Sequence, residues 1–386
     1  MSAAASVPIG GECDAKFAAV REAFAGNFAL HDEIGAAVTI FVGGRKVVDL
    51  WGGWADRART QPWAEDTLVN FFSIGKAITA TCVLRLVQRG LLDLDAPVAR
   101  WWPEFGAAGK GEITLRQLMS HRGGLPAIGP PLLPAGTMLD WDRMVKALAD
   151  QTPWWTPGEA HGYHVNTFGY LLGEPVRRVA GMTLGELLRE DVAGPLGADV
   201  HIGLPRSEHA RVAEFCRAPP PAAAPGEAQP APRAPTTREE LMRACTYNNP
   251  PGVSGGDWVN TESWRLAEIP STNGHGTARG VARVYLGLLQ DLIDADLLAE
   301  ATTEHSAGLD LILERPSRFG LGYQLTQAER PIGPNADAFG HFGAGGSLGF
   351  CDPDAEVAFG YVMNDMGPRW QNPRNKALID AIYRSI

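Results

Sequence analysis

The sequence predicts an α/β protein of the α+β type, in which an antiparallel sheet is assembled from both chain ends and flanked by helices. Two strand-like runs near the start, residues 35–42 and 46–51, are joined by Gly43-Gly44 and are typical of a hairpin. Two more runs, residues 347–351 and 357–363, flank a short turn near the end. Much of the chain between these pairs has helical spacing, which predicts a helical domain inserted into the sheet domain.

The order of these elements predicts the domain boundaries. We expect residues 1–85 and 270–386 to form the α/β domain, and residues 86–269 to form the mainly helical inserted domain. A Pro/Ala-rich stretch at residues 218–236 cannot build a packed core, so we expect an extended surface arm there. Whether this arm covers a site stays open.

Several helices are predicted from apolar periodicity and end signals. The expected helical segments are residues 14–29, 73–90, 113–120 with Thr114 as cap, 141–195 with breaks at Pro153, Pro157 and Gly158, 277–292 with Thr277 as cap, and 375–386.

Composition excludes several classes of partner. The net charge is −10, and no block of basic residues appears, so we expect neither nucleic acid nor a membrane as partner. The start of the chain has no basic and apolar leader pattern, which predicts a cytoplasmic protein. Five scattered cysteines without C-x-x-C spacing indicate a reducing compartment. No metal and no cofactor are expected, and a homo-oligomer is left open.

The first chemical signal is Ser73-Ile-Gly-Lys76, at the predicted start of a helix. Residues three apart on a helix share a face, so the hydroxyl and the amine can meet. A lysine can activate a serine if its own charge is suppressed, and a helix N-terminus disfavours that charge. On its own this tetrapeptide is weak evidence, because a first-turn serine with a solvated lysine is equally compatible with it.

Two further segments can complete a site around Ser73. Tyr163, between glycines and before a predicted helix, can aim its phenol at the serine and lysine, although its pKa of about 10 must fall if it is to act as a base. The run from His341 to Ser347 contains Gly343 and can place the N–H of Ala344 opposite that of Ser73 as an oxyanion hole. The alternative interpretations are a core tyrosine and a plain hairpin turn.

Taken together and in this order, the three motifs resemble those of the class C β-lactamase and DD-peptidase superfamily, and most closely its family VIII carboxylesterases. The resemblance covers nearly the whole chain. It implies a β-lactamase/DD-peptidase-like fold, with Ser73 as the acylated nucleophile. It also implies that Lys76 and Tyr163 act as the base pair and that Ala344 supplies the second oxyanion N–H.

Two departures from the β-lactamase pattern bear on the substrate. The family has Tyr-x-Asn in the second motif, whereas Val165 stands at that place here and Asn166 comes one position later. The third motif usually begins with Lys, a permanent cation, whereas His341 is largely neutral at pH 7. We therefore expect a small neutral ester of short to medium acyl length as substrate, rather than an anionic penicillin or peptide.

Other interpretations remain open beside this serine carboxylesterase. They are a β-lactamase or D-amino-acid peptidase, and a non-catalytic member that binds a ligand in the same cleft. Two G-x-S-x-G matches, at Ser254 and Ser347, lack the strand–turn–helix context of a nucleophile elbow. His161 and His164 lack metal-ligand spacing and are expected to be surface or loop histidines. Trp155 and Trp258 are candidates for lining the substrate site.

Overall fold

The computed structural model describes residues 7–217, 233–252 and 257–386. Most of the predicted Pro/Ala-rich arm, and Ser254 of one G-x-S-x-G match, lie outside these residues. The strands are β1 Ile9–Cys13, β2 Gly35–Val42, β3 Arg45–Gly53, β4 Val69–Asn70, β5 Val200–His201, β6 His275–Gly276, β7 Ser306–Leu309, β8 Pro316–Phe319, β9 Gln324–Leu325, β10 Phe339–Phe342, β11 Leu348–Asp352 and β12 Val357–Met363.

Helices fill the stretches between the strands. The α-helices are α1 Ala18–Leu30, α2 Ile74–Gln88, α3 Leu115–Met119, α4 Trp141–Asp150, α5 Phe168–Ala180, α6 Leu184–Leu187, α7 Gly194–Leu196, α8 Arg238–Asn248, α9 Glu262–Leu266, α10 Ala278–Leu289, α11 Ala295–Thr302 and α12 Pro373–Tyr383. Short 3₁₀ turns occur at Ala15–Phe17, Val98–Arg100, Pro103–Gly106, Thr137–Leu139, Arg206–Arg211, Asp257–Asn260 and Ala344–Gly346, and a π-helical turn at Leu188–Ala193.

The predicted sheet from both chain ends is confirmed. Within the described ranges the large sheet has nine strands in the order β1-β3-β2-β12-β11-β10-β9-β8-β7, and every pairing is antiparallel. The two ends of the chain meet where β12 pairs with β2, with Val357 opposite Val42 and Met363 opposite Ala36. A smaller sheet, β4-β6-β5, joins the segment before Ser73 to the loop around His275.

Both faces of the large sheet are covered, which explains why β12 is buried along its whole length. Phe359 and Tyr361 point into a core shared with α1 and α12, whereas Ala358 and Val362 belong to the core shared with α2 and α10. A strand buried on both faces loses the alternation of polar and apolar residues, as the run Val-Ala-Phe-Gly-Tyr-Val-Met shows.

Three details differ from the sequence expectations. β1 is an extra edge strand whose two glycines, Gly10 and Gly11, give no strand signal, so its pairing with β3 is set by tertiary context. The helix capped by Thr277 ends at Leu289, three residues earlier than predicted. The breaks expected at Pro153, Pro157 and Gly158 belong to one continuous loop over residues 151–167, which is longer than the breaks themselves. The division into two domains stays a prediction.

In the part of the chain that the structure describes, no helix combines the length and the apolar character needed to span a bilayer.

Helix α10 lies close against the sheet because two strand residues have no side chain. A Cβ at Gly360 of β12 would stand 2.3 Å from the carbonyl oxygen of Ala278, and one at Gly349 of β11 would stand 2.3 Å from the Tyr285 ring. The first of these obstacles is backbone, which cannot move without shifting the whole helix. These glycines therefore fix the distance between α10 and the strands that lead to the third motif.

Gly360→Ala is expected to lower the free energy of unfolding by about 1–3 kcal/mol, because the new methyl group forces α10 off the sheet. Urea denaturation followed by circular dichroism measures this. The matched control is Gly26→Ala in α1, where the nearest atom, Leu30 Cδ1, is 3.9 Å from the added carbon. That change should raise the free energy of unfolding by roughly 0.5–1 kcal/mol. Equal stability of Gly360→Ala and wild type would contradict the close approach.

Candidate active site

Ser73 lies between β4 and α2 and occupies the N-cap position of the helix, where its hydroxyl makes no capping hydrogen bond. In the stretch 71–80, Ser73 keeps part of its surface accessible while the other residues are buried. Phe72, directly before it, has a φ of 54°, a left-handed backbone conformation that bulky residues rarely adopt. Such strain persists only where the surroundings hold it, and here it turns the chain so that Ser73 faces solvent.

The glycine inside the first motif has a packing role. A Cβ at Gly75 would stand 2.2 Å from the carbonyl oxygen of Pro270. The first turn of α2 therefore lies directly against the segment that contains Ser271, whose carbonyl oxygen is one of the two hydrogen-bond partners of Lys76. The close approach of these two backbones encloses the lysine amine.

Lys76 is completely buried, and its Nζ lies 3.2 Å from Ser73 Oγ and 3.0 Å from the carbonyl oxygen of Ser271. Among the described residues it forms no ion pair with a carboxylate. Burial without a counter-charge lowers the pKa of Lys76 well below its ordinary value. An amine that loses its proton this readily has a lone pair for the Ser73 hydroxyl.

Tyr163 lies in the loop before α5, and its ring faces the same amine. Lys76 Nζ is 4.7 Å from the centroid of the Tyr163 ring. The ring stacks on Phe319 with centroids 5.8 Å apart and planes within 6°, and the edge of His121 packs against it at 5.1 Å. Tyr163 is 7% exposed, so these contacts hold the phenol in one orientation.

The pKa of Tyr163 is raised, whereas a tyrosine that acts as a base needs a lowered pKa. Burial raises the pKa of Tyr163 well above its ordinary value, and a hydrogen bond with the Ser73 side chain opposes the rise without cancelling it. The neighbouring imidazoles add no positive charge, because burial lowers the pKa of His121 well below its usual range and that of His164 to about 4. The buried cluster favours a neutral amine beside a protonated phenol.

The third segment runs along β10 and into the turn at Ala344–Gly346. His341 is fully buried, its Nδ1 lies 2.8 Å from the carbonyl oxygen of Phe342, and burial lowers its pKa well below the usual value. Its ring centroid is 6.0 Å from that of Tyr163. A Cβ at Gly343 would stand 2.4 Å from the carbonyl oxygen of Phe71, so a larger residue would separate this strand from the Ser73 turn.

Two backbone N–H groups at this junction are available to a ligand. The N–H groups of Ser73 and Ala344 donate no hydrogen bond to any described residue. Ser73 keeps part of its surface accessible, and so does Ala344. Unpaired donors at a partly exposed junction are the arrangement that an oxyanion hole requires.

The two candidate tryptophans have different surroundings. Trp155 packs with the cluster that contains Tyr163, and its ring centroid lies 6.0 Å from that of His164. Trp258 packs against the large core beside Gly136 and Gly252. None of the described interactions of Trp258 joins it to Tyr163. Trp155 thus supports the Tyr163 loop, and a substrate contact of either ring stays a prediction.

The structure corrects part of the expectation for two histidines. His161 and His164 lie in a loop, as one of the two expected settings had it, but both are buried. His164 accepts from the N–H of Leu125, and His161 contacts the hydroxyl of Ser317. In the described part of the chain no group of His, Cys, Asp and Glu forms a potential metal site.

Ser347 is buried and donates to the carbonyl oxygen of Phe71, so this hydroxyl braces the Ser73 turn and is not exposed for attack.

Asp310 is a site residue that sequence reasoning missed. It is buried, and its carboxylate accepts from the N–H groups of Tyr163, Ile312 and Leu313 and from the hydroxyl of Ser317. The contact with the N–H of Tyr163 fixes the backbone that carries the phenol. The available signal was a single carboxylate inside the apolar run Gly-Leu-Asp-Leu-Ile-Leu, which is typical of a buried acceptor.

Comparison with known proteins shows the family and the fold of the chain. The β-lactamase family model matches residues 20–384. A solved family VIII carboxylesterase is 40% identical and superposes with a TM-score of 0.88, covering 98% of this chain and 100% of the other. A penicillin-binding protein homologue from Caulobacter crescentus is 41% identical with a TM-score of 0.87 and the same coverage.

A curated relative extends the comparison to a named enzyme. Esterase/beta-lactamase LipL of Mycobacterium tuberculosis is 38% identical over 366 residues, which are 92% of this chain and 82% of that protein. The predicted resemblance and the predicted fold are therefore confirmed. The chain belongs to the β-lactamase family and is a serine hydrolase of the esterase/β-lactamase type.

Proposed function

We propose that this protein is a serine carboxylesterase that hydrolyses short to medium acyl esters through an acyl-enzyme on Ser73. The observation that carries the proposal is the buried Lys76 amine, which lies 3.2 Å from Ser73 Oγ and has no carboxylate partner among the described residues. A neutral amine in that position can take the serine proton as attack begins.

The proposed reaction has two matched halves. Ser73 Oγ attacks the ester carbonyl while its proton passes to Lys76 Nζ, and the N–H groups of Ser73 and Ala344 hold the oxyanion. When the intermediate collapses, the C–O bond to the alcohol breaks and the proton returns to the leaving alkoxide, with the Tyr163 hydroxyl as relay. Water then attacks the acyl-enzyme by the same route, which releases the acid and restores Ser73.

An ester is favoured over an amide for two reasons. The third motif has the neutral His341 in place of a cation, so an anionic β-lactam lacks its usual partner there. An amine is also a poorer leaving group than an alkoxide. The second candidate, β-lactam or amide hydrolysis, is favoured by the names of the relatives, which include a β-lactamase activity and a penicillin-binding protein homologue.

The predicted cytoplasmic location stays a prediction.

Ser73→Ala is expected to reduce kcat/KM for nitrophenyl esters by about 10³-fold or more, because no other nucleophile replaces the hydroxyl. Esters of rising acyl length and a chromogenic cephalosporin are assayed side by side, and mass spectrometry detects the acyl adduct. Ser263→Ala, at an exposed position, is the matched control. Ester turnover that survives in Ser73→Ala would disprove the nucleophile assignment. Faster turnover of the cephalosporin than of any ester would favour the second candidate.

Lys76→Met and Tyr163→Phe separate the two proton-transfer roles. Lys76→Met removes the base and should cost about 10²–10⁴-fold in kcat with little change in KM. Tyr163→Phe keeps the stacked ring and removes the hydroxyl, so its loss should be smaller. Steady-state kinetics at fixed pH, with thermal unfolding to confirm the fold, make the comparison. A larger loss for Tyr163→Phe than for Lys76→Met would reverse the assignment of the base.

The pH dependence follows from the directions of the two pKa shifts. Since the pKa of Lys76 is lowered, the amine is neutral on the alkaline side and gains a proton as the pH falls, so kcat/KM should decline only on the acidic side. Since the pKa of Tyr163 is raised, no titration of the phenol should appear below about pH 10. A pH profile, with circular dichroism at each pH to exclude unfolding, checks this. Activity that keeps rising towards pH 10 would instead indicate a phenolate base.

A further inference from the structure

Two arginines near the candidate site lack an ion-pair partner among the described residues. Among the described residues, neither Arg315 nor Arg330 forms an ion pair with a carboxylate, whereas the neighbouring Arg318 is paired with Glu304 at 2.8 Å. The Nε of Arg315 is buried and finds no described acceptor. Both arginines are half-buried, and removing a cation from water is costly to the extent that no anion compensates for it.

The two guanidinium groups lie on the same indole. Arg315 Cζ is 3.9 Å and Arg330 Cζ is 5.2 Å from the ring centroid of Trp370. Arg330 also lies over the Phe342 ring, with Cζ 3.6 Å from its centroid, and donates one hydrogen bond to the carbonyl oxygen of Arg369. Aromatic faces hold a guanidinium in position and leave its edge donors free.

The ring of Phe319 connects this arginine pair to Tyr163. Arg315, Arg330 and Trp370 line a small cavity of about 20 Å³ together with Phe319 and Phe342. Phe319 is the ring that stacks on Tyr163, and Phe342 directly follows His341. The cavity has room for about one water-sized group, such as one carboxylate oxygen of a substrate substituent.

The lowered pKa values of the two arginines also indicate that their positive charge is incompletely compensated. Burial, together with the nearby charge of Arg315, lowers the pKa of Arg330 to about 9. Burial also lowers the pKa of Arg315, and the phenol of Tyr247 and the carboxylate of Asp310 oppose that shift. Arg330 also lines a larger cavity of about 600 Å³, whose wall includes Glu329 and Asp380, yet neither carboxylate forms an ion pair with it. A bound anion would compensate the charge of Arg330 and complete the compensation that Asp310 supplies to Arg315 in part.

We propose that Arg315 and Arg330 form a subsite for an anionic group of the substrate, so that the preferred esters carry a carboxylate at a distance from the scissile bond. This inference rests on the proposed esterase function and specifies its substrate class. It replaces the expectation of a wholly neutral ester. His341 leaves the third motif without charge, and the charge for substrate recognition is supplied by Arg315 and Arg330 instead.

The test uses ester pairs that differ only in charge. One pair carries it on the alcohol side (4-carboxyphenyl butyrate against 4-carbamoylphenyl butyrate), and the other on the acyl side (monophenyl adipate against phenyl adipamate). For each pair, the ratio of kcat/KM for the carboxylate to that for the carboxamide is measured at low salt. Intrinsic reactivity cancels when wild type is compared with Arg315→Gln/Arg330→Gln, so the change in this ratio is decisive.

We expect the ratio for at least one pair to fall about tenfold or more in the double variant, chiefly through KM, because charge-assisted hydrogen bonds are lost. Arg330→Lys should retain part of the preference. Arg143→Gln is the matched control, since this exposed arginine is paired with Asp140 at 3.1 Å and does not line the cavity, and it should leave the ratio unchanged. The pair that responds identifies whether the carboxylate belongs to the acyl or to the alcohol part.

A ratio that is the same in wild type and double variant for both pairs would overturn the subsite. It would show that the arginines serve packing alone, and a lower unfolding temperature without a change in the ratio would support that conclusion. Failure of the esterase proposal is distinguishable, because wild type would then hydrolyse neither the carboxylates nor the carboxamides, or would do so equally well as Ser73→Ala.

Discussion

A primary amine enclosed without a counter-ion is the constraint on which this site depends. Lys76 is kept from ion pairing by the close contact of α2 with the Pro270–Ser271 segment, and its remaining partners are a hydroxyl and a carbonyl oxygen. Because the charged form finds no compensation, the lysine is held near the state in which it can accept a proton. Helix position alone would not achieve this, since a lysine in the first turn of a helix is normally solvated.

The residues around the Lys76 amine exclude water from it. Phe319 and His121 enclose the phenol, His341 adds no charge, and Asp310 satisfies the N–H of Tyr163. These residues come from loops and strands that are distant in sequence. They meet because β10 and the loop before α5 both border the start of α2. A low-charge, rigid cluster strengthens each remaining electrostatic interaction inside it.

Local signals were sufficient for most elements and for the three motifs. The β2–β3 hairpin, α2 and the cap at Thr277 follow from turn glycines, apolar spacing and capping chemistry. Asp310, Arg315 and Arg330 could not be predicted, because their roles arise from contacts across the fold and not from spacing along the chain. The direction of the Tyr163 pKa was also inaccessible, since it depends on how completely the phenol is buried.

The pairing of β2 with β12 has a consequence for biosynthesis. The hairpin Gly35–Gly53 leaves the ribosome early, yet one edge of β2 has no strand partner until β12 has been translated. The segment with His341 and Ala344 is also translated late, so a nascent chain that already carries Ser73 and Lys76 has no third motif. Closure of the sheet therefore completes the core and assembles the proposed reactive centre in the same event, and until then the exposed strand edge is a site for aggregation or chaperone binding.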